Sequence, residues 1–109
     1  MVFCDISVEK GSSRLFKFTF TEGGNALDLT DGGVDKVMFV VNKNYDGFAG
    51  EQIFSLEADS VDAQGEARFN VASFDMSSGL YRYSTYVVFT DGKKLFGRIG
   101  RFYVSEVLV

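Results

Sequence analysis

The chain has 109 residues, with 12 Phe and 5 Tyr but no Trp, Pro or His, and a formal net charge of −4. That length suits a single domain over residues 1–109 that can bury a core without metal or disulfide staples. The missing histidines exclude Ser-His-Asp and Cys-His catalysis and histidine-ligated metals, and the acidic balance argues against a nucleic-acid surface, which needs a basic field.

The N-terminus, "MVFCDISVEKG", reaches Asp5 almost at once. It has no basic start and no apolar run long enough for a signal peptide. Cys4 is the only cysteine, so no intrachain disulfide forms. In a predicted first strand it reads as a buried, inert thiol, and a chain without disulfides fits a reducing compartment.

In "RLFKFTF", Phe16, Phe18 and Phe20 alternate with Lys17 and Thr19, a strand with one buried face. In "DKVMFVVN", Val37, Phe39 and Val41 share a face and Met38 and Val40 lie opposite, so this strand is expected to be central and covered on both sides. Runs such as "VMFVV" are too short to cross a bilayer, and no membrane is expected as a partner. The segment "NKNYDGFAGE" reads as a loop. Its Tyr45 and Phe48 are candidate partner-binding anchors, or a lid folded back on the core.

"EQIFSLE" and "EARFNV" are further strands, with Phe54 and Leu56, then Ala67, Phe69 and Val71, facing inward. Between them Asp59, Asp62 and Glu66 cluster in "EADSVDAQGE". Their spacing does not match a calcium loop. The reading is a polar hairpin turned at Gly65, with no metal and no cofactor. "ASFDMSSG" is the one stretch expected to make a helical turn, capped by Ser73 and ended by Gly79.

In "LYRYSTYVVFT", Tyr81, Tyr83, Thr85, Val87 and Phe89 share a face. Tyr86–Phe89 and Phe96–Tyr103 are predicted to pair antiparallel across Asp91-Gly92, a strong hairpin turn. Gly97 and Gly100 interrupt the second run and predict a bulge or a close approach by another part of the chain. Lys93, Lys94, Arg98 and Arg101 make this hairpin locally basic, which reads as a solvated edge. The last residues, Val107, Leu108 and Val109, follow without a turn signal or a charge. They are expected to be covered by the domain or by a neighbouring subunit, and join Tyr45 and Phe48 as candidate docking residues.

Turn signals at "EGGN", "DGG", "YDG", "AQGE", "SSG" and "DGKK" have the spacing of an all-β sandwich of seven or eight short strands. No glycine cluster forms a phosphate cradle and no acid–base constellation is visible, so no enzyme is expected. The sequence "FKFTFTEGGNALDLTDGGVDKVMFVV", then "GEARFNV", then "FDMSSGLYRYSTYVVFTDGKKLFGRIGRFYV" resembles the immunoglobulin-like domain at the N-terminus of tailed-phage baseplate upper proteins and related virion domains. Asp28-Leu29-Thr30 and Gly79-Leu80-Tyr81 occupy the family's Asp-Leu-Thr and Gly-x-Tyr positions, over roughly residues 14–104. The resemblance implies an immunoglobulin-like antiparallel β-sandwich. It implies a virion structural role in baseplate, tail or capsid, assembled in the host cytoplasm and acting through contacts with other virion proteins and copies of itself. "DLTDGGVDK" is longer before its strand than the family pattern. The rival reading is a carbohydrate-binding or host-adhesion module with a host glycan as ligand, for which Tyr45 and Phe48 are the loop aromatics. Read from the residues alone, Leu29 is an apolar plug, Asp28 and Thr30 bond local backbone, and Tyr81 enters the core with its hydroxyl at the rim.

Overall fold

The computed structural model describes the backbone of residues 2–3, 5–45 and 48–106, with side chains over 5–43 and 50–106. Two sheets face each other, and a two-stranded hairpin lies off them. The N-terminal strand is broken into β1 (Val2–Phe3) and β2 (Ile6–Glu9). Then come β3 (Arg14–Thr19), the small hairpin β4 (Thr21–Glu22) and β5 (Asn25–Ala26), β6 (Val34–Tyr45), β7 (Phe48–Glu57), β8 (Ser60–Val61), β9 (Glu66–Val71), β10 (Gly79–Phe89) and β11 (Lys94–Ser105). The larger sheet runs β1-β11-β10-β6-β7, with β2 also on β11, and the smaller runs β3-β9-β8. Taking β1 with β2 and setting the small hairpin aside gives eight main strands, an immunoglobulin-like sandwich.

One pairing departs from an all-antiparallel arrangement. β1 and β2 run parallel to β11 in one continuous register, Val2↔Arg98 to Ser105↔Glu9. At the break the Asp5 carboxylate accepts the Arg101 amide at 3.2 Å, a side chain standing in for the main-chain ladder.

The core is built from the alternating faces that the sequence displays. Phe16, Phe18, Phe39, Val41, Phe69, Val87 and Phe102 are all buried. Phe39, at the middle of β6, meets Phe16, Phe18 and Phe69 edge-on at ring-centroid distances of 5.1, 5.2 and 5.7 Å, the geometry that ring quadrupoles favour. Phe18 of β3 and Tyr83 of β10 stack across the sheets at 6.2 Å and 26°. In antibody domains a disulfide spans the corresponding pair of strands; with a single cysteine in the chain, this sandwich is tied there by rings.

The expected helical turn over "ASFDMSSG" does not form, and residues 72–78 cross between the sheets irregularly. Phe74 is the reason. It is 1% exposed, its amide donates to Ser12 O and its carbonyl accepts from Gly11 N. Core burial of that ring holds the segment extended, against its local helical preference. Ser73 donates to the Asp75 carboxylate instead of capping a helix, and Gly79 is a strand residue. From there the Tyr81 hydroxyl donates to the Ser77 carbonyl at 2.6 Å. This is the tyrosine corner found where β-sandwich chains enter the strand after such a crossing. Tyr81→Phe is expected to lose about 0.5–1.5 kcal/mol, read by urea denaturation. No loss would mean that water replaces the bond at no cost.

Candidate functional site

The carboxylate cluster is occupied by structure. β8 and β9 form the expected hairpin, with Gly65 at φ 85. Asp62 Oδ1 accepts the amides of Gln64 and Glu66. Asp59 Oδ2 accepts the Asn70 amide at 2.6 Å, and Glu66 pairs with Arg68 at 2.9 Å. Among the described residues no group of three or more Cys, Asp and Glu has metal-holding geometry. EDTA is therefore expected to leave the melting temperature unchanged, and a fall of several degrees would reveal a structural ion.

Leu29 is buried, as its plug role requires. The Asp28 carboxylate takes both the hydroxyl and the amide of Thr30. These bonds, the hydroxyl first, hold the Asp28 pKa below its ordinary 3.8. A lowered folded pKa means stabilisation that is present above pH 3.8 and lost as pH falls through the folded value. An NMR titration should place the Asp28 midpoint below 3.8, and Thr30→Val should move it back up. Identical midpoints would show that the bond does not persist in solution.

The sequence-predicted docking residues are only partly described. Val107, Leu108 and Val109 lie outside the described residues, as does Cys4. Tyr45 and Phe48 are not on a loop. They are the register pair that ends the β6–β7 hairpin, and only their backbone is described. The two strands run on past the sequence-predicted boundaries because the register adapts, with Ile53 and then a second β7 residue left unpaired.

The outward face of the larger sheet carries a different set of residues. β6 is internal to its sheet as expected; on its second face, over which no described strand packs, Val40 is buried and Met38 half-buried. Register lines up Met38 of β6, Tyr86 of β10 and Phe96 of β11 in one row across three strands. The Tyr86 and Phe96 rings meet at 5.5 Å, Lys94 Nζ sits 4.9 Å over Tyr86, and Phe96 is 45% exposed. The next row is Val40, Ser84 and Ile99. Cations flank this apolar centre on both sides, Lys36 and Lys94 in the row about Val88, Arg82 and Arg101 in the row beyond Ser84. Tyr103 and then Asp5 hold the Arg101 guanidinium more firmly protonated than usual. The predicted hairpin is formed, Tyr86↔Phe96 to Val88↔Lys94, but the expected solvated edge is not what Arg98 and Arg101 occupy, because β1 and β2 pair with β11 along its outer side; Lys94 and Arg101 border an aromatic face instead.

The bulge predicted from the glycines is at Gly97. There β11 carries one residue more than β10, between Tyr86 and Ser84. A Cβ on Gly97 would stand 2.6 Å from the Phe20 ring, and the fully buried Thr85 hydroxyl donates to Arg98 O at 2.7 Å. The extra residue keeps Phe96 and Ile99 both on the outward face although they are three positions apart.

No family model matches the sequence, and no curated protein matches it. Solved structures do resemble the fold. CopC from Methylosinus trichosporium OB3b aligns with a TM-score of 0.55 and 18% identity, over 96% of this chain and 87% of that one. A fibronectin(III)-like module of Clostridium thermocellum CbhA aligns at 0.49 and 14%, over 99% and 94%. Extracellular domains 3-5 of Drosophila OTK align at 0.45 and 13%, over 96% and 33%. At these identities the likeness to CopC concerns the fold, and function has to be argued from the site.

Proposed function

We propose that the chain is a non-enzymatic docking module of a tailed-phage virion, bound to another virion protein through the outward face of its larger sheet. The row Met38, Tyr86 and Phe96 carries the reading. Contiguous aromatics on an uncovered sheet face mark contact surfaces. The virion setting rests on the sequence resemblance alone. Charge decides the partner's chemistry. The face carries Lys36, Arg82, Lys94 and Arg101 beside Glu57, in a chain that has 11 cations and 15 acids. It therefore suits a protein surface with an apolar centre and carboxylates around it.

The test is Tyr86→Glu combined with Phe96→Glu, measured for fold by circular dichroism and for incorporation into particles. Folded protein that no longer incorporates supports the reading. Normal incorporation overturns it, and so does specific capture on a glycan array, which would make this an adhesion module.

A further inference from the structure

A second surface lies at the far edge of the same sheet, and it does not depend on the outward face. β7 is the last strand of its sheet, and no described strand pairs with its outer edge. The facing strand in the other sheet is short. β8 pairs only Ser60↔Arg68 and Val61↔Ala67, so Phe69–Val71 of β9 have β3 on one side and no described strand on the other. Between the two edges is a groove of about 650 Å³. Its apolar lining is Ile53, Phe54, Leu56, Val71, Phe74 and Met76. Ile53 is the residue that the register slip leaves without a partner on β6. Asp75 also lines the groove, and no cation does.

We infer that this groove takes up an extended peptide strand from a partner protein, paired with the main chain of Ile53–Leu56. An open edge supplies a row of backbone donors and acceptors that a strand satisfies. In such a strand every second side chain falls into the groove, against Phe54, Leu56 and Val71. Asp75, the one charged residue of the lining, favours a Lys or Arg on the strand that binds there. A second copy of β7 is a poor occupant. Antiparallel pairing centred on Phe54 sets Glu51 of one copy opposite Glu57 of the other, and like charges across a ladder repel.

The probe is a capped peptide, Lys-Val-Thr-Val-Thr-Val-Lys, titrated into the isotope-labelled protein and followed by NMR. The expected result is shifts confined to residues 53–56 and 70–76, with slowed amide exchange in Ile53–Leu56. Methylating every second peptide amide should weaken binding about tenfold in one phase and leave it unchanged in the other, because alternate amides face the protein. Replacing both Lys by Glu should weaken it further. Ile53→Lys should weaken binding of the original peptide while the protein remains folded. Four outcomes overturn the inference: no binding at millimolar peptide, shifts centred elsewhere, equal affinity for both methylated phases, or sedimentation showing that two copies already pair through β7.

Discussion

Phe39→Ala is expected to lower the free energy of unfolding by about 3–5 kcal/mol, the usual range for deleting a buried ring. The upper half of that range is favoured by where the ring sits. Phe39 has no exposed surface and touches rings from both sheets: Phe16 and Phe18 on β3, Phe69 on β9, Phe54 on β7, Tyr83 on β10 and Phe102 on β11. A cavity bounded by rings on so many strands cannot collapse without moving several of them, so the relaxation that softens other truncations is blocked. Equilibrium denaturation should show the loss, with Leu15→Ala as the control. Leu15 is 50% exposed and should cost under about 1 kcal/mol. A loss for Phe39→Ala as small as the control's would place that ring outside the core.

The second large effect comes from adding atoms. Gly65→Ala is expected to cost about 2–5 kcal/mol, combining left-handed backbone strain with overpacking. Gly65 lies at φ +85, and a Cβ there collides with the Phe20 carbonyl oxygen while standing 3.2 Å from Leu27 O. Both obstacles are main chain, fixed by a local network. Phe20 N donates to Gly65 O at 2.8 Å, and Leu27 N donates to Phe20 O at 3.1 Å. The turn between β8 and β9 is thus clamped to the ends of β3 and β5. Gly92 separates the two contributions. It has nearly the same angle, φ +89, but nothing lies within 4 Å of its would-be Cβ. Gly92→Ala should show the conformational part alone, about 1–2 kcal/mol. Equal losses at the two positions would mean that the Gly65 neighbours yield freely.

The fold was legible where period-two alternation met turn residues. Phe16 and Phe18, the inward set Tyr81 to Val87, and the Asp91-Gly92 hairpin are where the sequence puts them, because burial of one face selects one register. Two local readings failed for a tertiary reason. "ASFDMSSG" lost its helical turn to the burial of Phe74, and the segment around Tyr45 and Phe48 became strand because β6 and β7 extend by slipping register. The candidate site was harder to read. Met38, Tyr86 and Phe96 come from three separate strands, and only the inter-strand register makes them neighbours. The one local clue was that Met38 and Val40 are apolar out of phase with Phe39. It reads as a second covered face; Val40 is buried there, but no described strand packs over it. The broken β8, which opens the groove beside β7, left no sequence signal at all, since absent pairing has no composition.

The parallel ladder of β2 on β11 sets an order in time. Val8 and Ser105 are 97 positions apart yet share a hydrogen bond. On a ribosome adding roughly 5–20 residues per second, the first strand emerges several seconds or more before its partner exists. Until then β2 can pair only with the wrong neighbour or with water, and the sandwich cannot close. Contacts between such distant positions also slow folding after release, because the long loop must be closed before the contact rewards it. The N-terminal strand is thus the last piece of the domain to be secured, and the interval before it docks is when the nascent protein is most exposed to aggregation.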